Sequence, residues 1–318
     1  MASYRDALPH LQGRIMLTDS GIETAVIFGS GRDLPSFALF PLLAEDEGRR
    51  ILETYYREHL AVSAQHGLGY VLETPSWRSN PDWGASLGYG QAELDALDRA
   101  GVQFLASIRD SSPEVEGPMP ISGLLGPRGD GYQVGAVMTV EEARRYHGHQ
   151  VRVLDDAGCD LVSGCTLTYP AEGIGIALAA RDARIPVVLH FTVETDGRLP
   201  DGSTLRDAIA GIDAATDGYV ACYGINCAHP DHMMPAFQEP TGWTGRIRAV
   251  RANASRRSHA ELNEATELDS GNPEELAAAY ATLRGVLQDA VVFGGCCGTD
   301  VRHVRAIADA VLRAPSPT

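Results

Sequence analysis

Eight short apolar runs, each followed by a stretch long enough for a crossover helix, constrain this chain more than anything else in it. They are residues 15–19, 69–73, 120–124, 160–163, 186–191, 219–225, 246–250 and 290–293. Strands that alternate with helices build parallel sheets. Between residues 45 and 66, Ile51, Tyr55, His59 and Val62 recur near helical spacing. Thr139 with Glu142 forms a capping-box pattern that opens another helix, ending near Ala157-Gly158. Thr299 or Asp300 caps a last helix whose Val301, Val304, Ile307 and Val311 face inward. Eight such units in 318 residues fit one α/β domain, a (β/α)8 TIM-type barrel spanning residues 1–318. An open doubly wound sheet is the lesser alternative. Residues 117–135 and 251–272 read as long barrel loops, and 1–12 and 314–318 as loose tails.

Charge and segment composition exclude several classes. The formal charge is -16, from 42 acidic and 26 basic side chains. That opposes binding to nucleic-acid phosphates or to anionic lipid. No apolar stretch approaches the roughly 20 residues of a membrane span. Met1-Ala2-Ser3-Tyr4-Arg5-Asp6 lacks the basic start and apolar core of a signal peptide, so a cytoplasmic location is expected. Six cysteines in a chain of this length do not resemble a secreted disulfide framework. Gly29-Ser30-Gly31 lacks the third glycine of a dinucleotide-binding loop and reads as a turn.

Two cysteine motifs end strands. Gly224-Ile225-Asn226-Cys227 ends the sixth, and Gly294-Gly295-Cys296-Cys297-Gly298-Thr299 ends the eighth. In a barrel both loops open on the C-terminal face, where active sites sit. Three thiolates from two loops there can hold zinc and leave its fourth position open, as catalytic zinc requires. Cys159 and Cys222 read as small buried residues. His190 reads as a core histidine, and His147, His149, His229 and His232 as surface or supporting residues.

On these two motifs the chain resembles the zinc-dependent homocysteine S-methyltransferase family. Weaker matches are Asp19-Ser20-Gly21, Glu73-Thr74-Pro75-Ser76, Gly126-Pro127 and Asp201-Gly202-Ser203. The resemblance spans roughly residues 13–313. It implies a (β/α)8 barrel with zinc (Zn2+) on Cys227, Cys296 and Cys297. It implies methyl transfer from a sulfonium or ammonium donor to a zinc-activated thiol, most often homocysteine, with no side chain as the catalytic group. Both partners are then small molecules; a homo-oligomer stays open.

By the same resemblance Asp19, Glu73, Thr74, Cys165, Asn226 and Asn253 are expected to bind substrate. Asp19 is expected at the acceptor's amino group. Trp77, Tyr89 and Tyr169 offer faces to a cationic donor. The departures are specific. Cys165 stands where the family commonly has a carboxylate that binds the amino acid. Ala252 replaces a proline before Asn253. Arg78 follows an altered second-strand motif and is suited to a carboxylate. These changes favour a different small thiol or an unusual donor as the alternative. Two other readings stay open: a zinc- and ligand-binding barrel without turnover, and a redox protein that pairs Cys296 with Cys297.

Overall fold

A computed structural model describes residues 2–238 and 242–313. Eight parallel strands close on themselves. They are β1 (Met16–Leu17), β2 in two pieces (Gly69–Tyr70 and Leu72–Glu73), β3 (Ile121–Leu125), β4 (Leu161–Leu167), β5 (Val187–Phe191), β6 (Cys222–Asn226), β7 (Ile247–Ala252) and β8 (Val292–Gly295). Each pairs with its sequence neighbours, and β1 pairs with both β2 and β8, aligning Met16 with Gly69 and with Val292. Between the two pieces of β2, the Val71 N–H still donates to Leu17 O at 2.8 Å. All eight expected strands are present; their bounds shift by a few residues because hydrogen-bond registry, rather than apolarity, sets strand ends. The TIM-type barrel is therefore the fold.

Local signals explain the helices. The helix Val140–Ala157 starts on Thr139, whose hydroxyl accepts from Glu142 N while Glu142 returns to the Thr139 N–H. It ends on Gly158 at φ 98, a left-handed cap that glycine adopts at least cost. The helix Val301–Arg313 is opened by Asp300, whose carboxylate accepts the Arg302 N–H.

Of the tail 1–12 expected to be loose, the described residues 2–12 are anchored. The buried Asp160 carboxylate accepts the N–H groups of Ser3 and Tyr4, and that of Ile121 at 2.8 Å. Leu8 packs with Leu161, Val188 and Cys222 and closes the lower end of the barrel. The anchors lie some 150 residues away in sequence and leave no local pattern in the tail. Residues 314–318 lie outside the described residues. His147, His229 and His232 are also buried rather than superficial, and His147 meets Glu172 at 2.9 Å.

Asp98, on the helix Gln91–Asp110, is buried, and its Oδ1 finds no partner. Burial pushes its carboxyl up to about 8. Its folded value thus exceeds the ordinary one near 3.9, so the folded state holds an extra proton from about pH 4 to 8. Stability from this group falls as pH rises through that window. Asp98→Asn is expected to gain on the wild type by about 1.4 kcal/mol per pH unit there. Urea unfolding at pH 5 and pH 7 checks this; a pH-independent difference contradicts it.

Candidate active site

The C-terminal ends of β4, β6, β7 and β8 surround a cavity of about 260 Å³. Its floor holds Cys227, Cys296 and Cys297, whose sulfur atoms all lie within 4.8 Å of one another. Cys227 and Cys296 are joined in a disulfide, with Cα atoms 5.3 Å apart. The redox alternative assumed a Cys296–Cys297 pair; the structure pairs Cys227 with Cys296. That pair has to be reduced before three sulfurs can serve one ion. Soft thiolates at this spacing suit zinc chemically.

Backbone strain and hydrogen bonds aim the cluster. Cys227 has φ 55, a left-handed conformation that costs a β-carbon residue of order 1–3 kcal/mol and survives only when neighbours over-determine it. They do. Cys227 N–H donates to Arg251 O at 3.0 Å. Its carbonyl accepts from Asn253 Nδ2 at 3.0 Å, His259 Nε2 at 2.7 Å and Thr192 Oγ1 at 3.2 Å. Asn226 braces Thr166 through two bonds, of 2.9 and 2.7 Å, and reaches Cys227 Sγ at 3.5 Å. Thr166 itself has φ 59, and the β4–β5 register shifts between Gly164 and Leu167. Such bulges re-aim side chains beside active sites. On the β8 side, Gly298 has φ 80, and a β-carbon there would meet Asp269 O at 2.7 Å. Only glycine lets this loop turn both neighbouring cysteines inward.

The expected substrate residues divide. Cys165 and Asn226 line the large cavity. Asp19, Glu73 and Thr74 line a smaller one beside it, of about 30 Å³. Asn253 lines neither and holds the Cys227 carbonyl instead. Thr74 is committed to the fold, since its hydroxyl accepts Leu124 N–H at 2.9 Å and meets Ser76 Oγ at 2.6 Å. The expected role of Asp19 at an amino group meets a competitor. Arg251 Nη2 donates to Asp19 Oδ1 at 2.6 Å, and Arg251 Nη1 donates to Glu73 Oε2. Burial pushes Glu73 upward, and Arg251 opposes that rise. Burial also works against the charge on Arg251, but Asp19 and Glu73 outweigh it and hold the guanidinium well above its ordinary value. Cys165 Sγ lies 3.8 Å from Arg251 Nη1. Glu73, Cys165 and His190 cluster closely enough for a cation, but the guanidinium already supplies the positive charge there.

Sequence reading missed three groups. Arg251 carried a signal, a buried arginine near the C-terminal end of the strand Ile247–Ala252. Tyr132 Oη lies 3.2 Å from Cys297 Sγ, and its ring stacks on His259 at 4.2 Å; nothing marked it beyond its place in a long loop. Part-buried Glu23 lines both cavities and makes no ion pair among the described residues. Burial pushes its carboxyl up to about 7, with Asp19 adding to the rise and Arg251 and Arg78 opposing it. Of the aromatics expected to face a cation, Trp77 lines the cavity. Tyr89 packs edge-on against Phe40, and Tyr169 accepts the Met138 N–H. Burial pushes the free Cys297 thiol up to about 11, which leaves it a poor nucleophile in its own right.

The sequence model of the family described as Homocysteine S-methyltransferase matches residues 17–311. A homocysteine S-methyltransferase 4 of Zea mays is 25% identical over 95% of this chain and 91% of its own. The homocysteine S-methyltransferase of Escherichia coli (strain K12) is 28% identical over 74% of this chain and 77% of its own. The crystal structure of the Escherichia coli homocysteine methyltransferase MmuM in its metallated form superposes with a TM-score of 0.72 at 24% identity, covering 93% of this chain and 96% of that one.

Proposed function

The chain belongs to the homocysteine S-methyltransferase family and is an S-methyltransferase, and on that premise we propose that it transfers a methyl group from a sulfonium or ammonium donor to homocysteine, giving methionine, with zinc on Cys227, Cys296 and Cys297. The observation that carries this reading is the convergence of three sulfurs within 4.8 Å on the floor of a cavity. When bound, zinc would keep an incoming thiol deprotonated at neutral pH, below the ordinary thiol value of about 8.5.

The chain's own residues do the rest. Asn226, Asn253, His259 and Thr192 hold the Cys227 loop in one geometry, which fixes where an acceptor sulfur can sit. In the transfer, a new sulfur–carbon bond forms as the donor's heteroatom–carbon bond breaks. The leaving atom keeps the bonding pair and departs neutral, so no side chain has to supply a proton. Glu23 offers a carboxylate to a cationic donor in the cavity that holds the cysteine cluster, where alignment of the reacting atoms sets the rate. Residues 1–318 work as one barrel domain on small molecules in the cytoplasm. No helix of the described residues is long and apolar enough to cross a membrane.

A screen of zinc-loaded protein that crosses several thiols with several methyl donors, read by mass spectrometry, tests the proposal. Absence of any methylated thiol overturns it.

A second acceptor class is favoured by one observation: Arg251 occupies both Asp19 and Glu73, and Cys165 carries no compensating charge. Neither carboxylate expected at homocysteine's ammonium is then free, which leaves Glu23 as the unpaired carboxyl beside the sulfurs among the described residues. Cys165→Glu adds one; it also shares Arg251 and so loosens that group's hold on Glu73. The variant is expected to raise kcat/KM for homocysteine about 10- to 100-fold, the value of one charge-assisted hydrogen bond in a partly dry site. Efficient wild-type turnover of homocysteine, with Cys165→Ala nearly silent, would rule out this second class.

A further inference from the structure

Arg78 is the one guanidinium lining the large cavity that has no carboxylate partner among the described residues. Its guanidinium lies between two indoles, 3.9 Å from the Trp77 ring centroid and 4.0 Å from that of Trp83. Nη1 donates to Gly129 O at 3.0 Å. Nε has no partner, and the residue is only 5% exposed. No carboxylate lies within ion-pair distance of it among the described residues. Asp130, which also lines the cavity, is held by the N–H groups of Tyr132 and Gln133 at 2.7 and 3.1 Å. Arg251, the other buried guanidinium of this cavity, has two carboxylates.

A buried cation without an anion is strongly unfavourable, and proteins keep one where a ligand supplies the partner. Flanking indoles offset part of that cost through cation–π attraction and hold the planar fork in one orientation. Burial draws Arg78 down to about 10, with Asp130 and Glu23 opposing, so it remains charged at neutral pH. A fixed fork suits a two-oxygen anion. The cavity also exposes Glu23, Asp130, Glu267 and Asp269, which disfavours a dianionic phosphate and leaves a monoanion.

We propose that Arg78 binds the carboxylate of a substrate in this cavity and thereby sets which sulfur compounds reach the cysteine cluster. The proposal rests on the methyl-transfer reading. A carboxylate is present both on an amino-acid acceptor and on an amino-acid sulfonium donor, and two arms separate them. One arm compares homocysteine with 3-aminopropane-1-thiol, which lacks the carboxylate. The other compares S-methylmethionine with its decarboxylated sulfonium. Each pair is measured by kcat/KM and by calorimetric binding to the zinc-loaded protein.

The wild type is expected to prefer the carboxylated member of one pair about 10- to 100-fold, and Arg78→Gln to reduce that preference to about threefold or less. Arg78→Lys keeps the charge without the fork and should fall between. The arm that collapses identifies the substrate. A wild type without preference in either arm overturns the proposal, and so does an Arg78→Gln protein that weakens both members equally. Because the wild-type comparison needs no variant, poor folding of Arg78→Gln does not shield the idea. Lack of any methylated product would count against methyl transfer instead, and the calorimetric arms would still decide the role of Arg78.

Discussion

Replacing any one of Cys227, Cys296 or Cys297 with serine is expected to lower bound zinc from about one equivalent per chain to a small fraction, and to bring methyl transfer to background. The three sulfurs form a single donor set, and a hydroxyl is a far poorer partner for zinc than a thiolate. Two remaining thiolates do not make a stable catalytic site. Metal content by plasma mass spectrometry on protein purified with reductant reads the first effect, and product formation the second. Circular dichroism keeps loss of fold apart from loss of metal. Full turnover in a metal-depleted variant would end the zinc mechanism. Cys159→Ser makes a useful comparison, because that thiol lies buried in the barrel core outside the cavity and should leave zinc content unchanged.

The second large effect concerns Arg251. Arg251→Leu strands Asp19 and Glu73 as two buried carboxylates at the ends of adjacent strands. Breaking a buried pair in this way costs about 3–5 kcal/mol, or a fall in Tm of about 5–7 °C for a chain of this size. Arg251→Lys should lose less, since one ammonium cannot fork to both oxygens. Combining Arg251→Leu with Glu73→Gln should restore much of the loss by removing one uncompensated charge. A thermal scan of the three proteins decides it. A shift of only a degree or two in Arg251→Leu would mean the carboxylates are satisfied by other means, and would reopen Asp19 as a free ligand for an acceptor's ammonium.

The barrel was legible because its signals are local. Eight apolar runs, the Thr139–Glu142 cap and the glycine-flanked cysteines each mark themselves within a few residues. Parallel strands in a barrel then send every following loop to one face, so the 69-residue gap between Cys227 and Cys296 hid nothing. By itself the chain thus determined its fold class and the origin of the sulfur cluster. Tertiary structure alone decided how the charges are shared. Asp19 follows β1, while Glu73 and Arg251 lie on β2 and β7, with separations of 178 and 232 residues between the arginine and its acids. It also turned residues 3–8 into the plug at the lower end of the barrel and left Arg78 between two indoles without an anion. Electrostatic pairing depends on which side chains share a small, dry volume. That is a property of the closed barrel, and no stretch of its sequence records it.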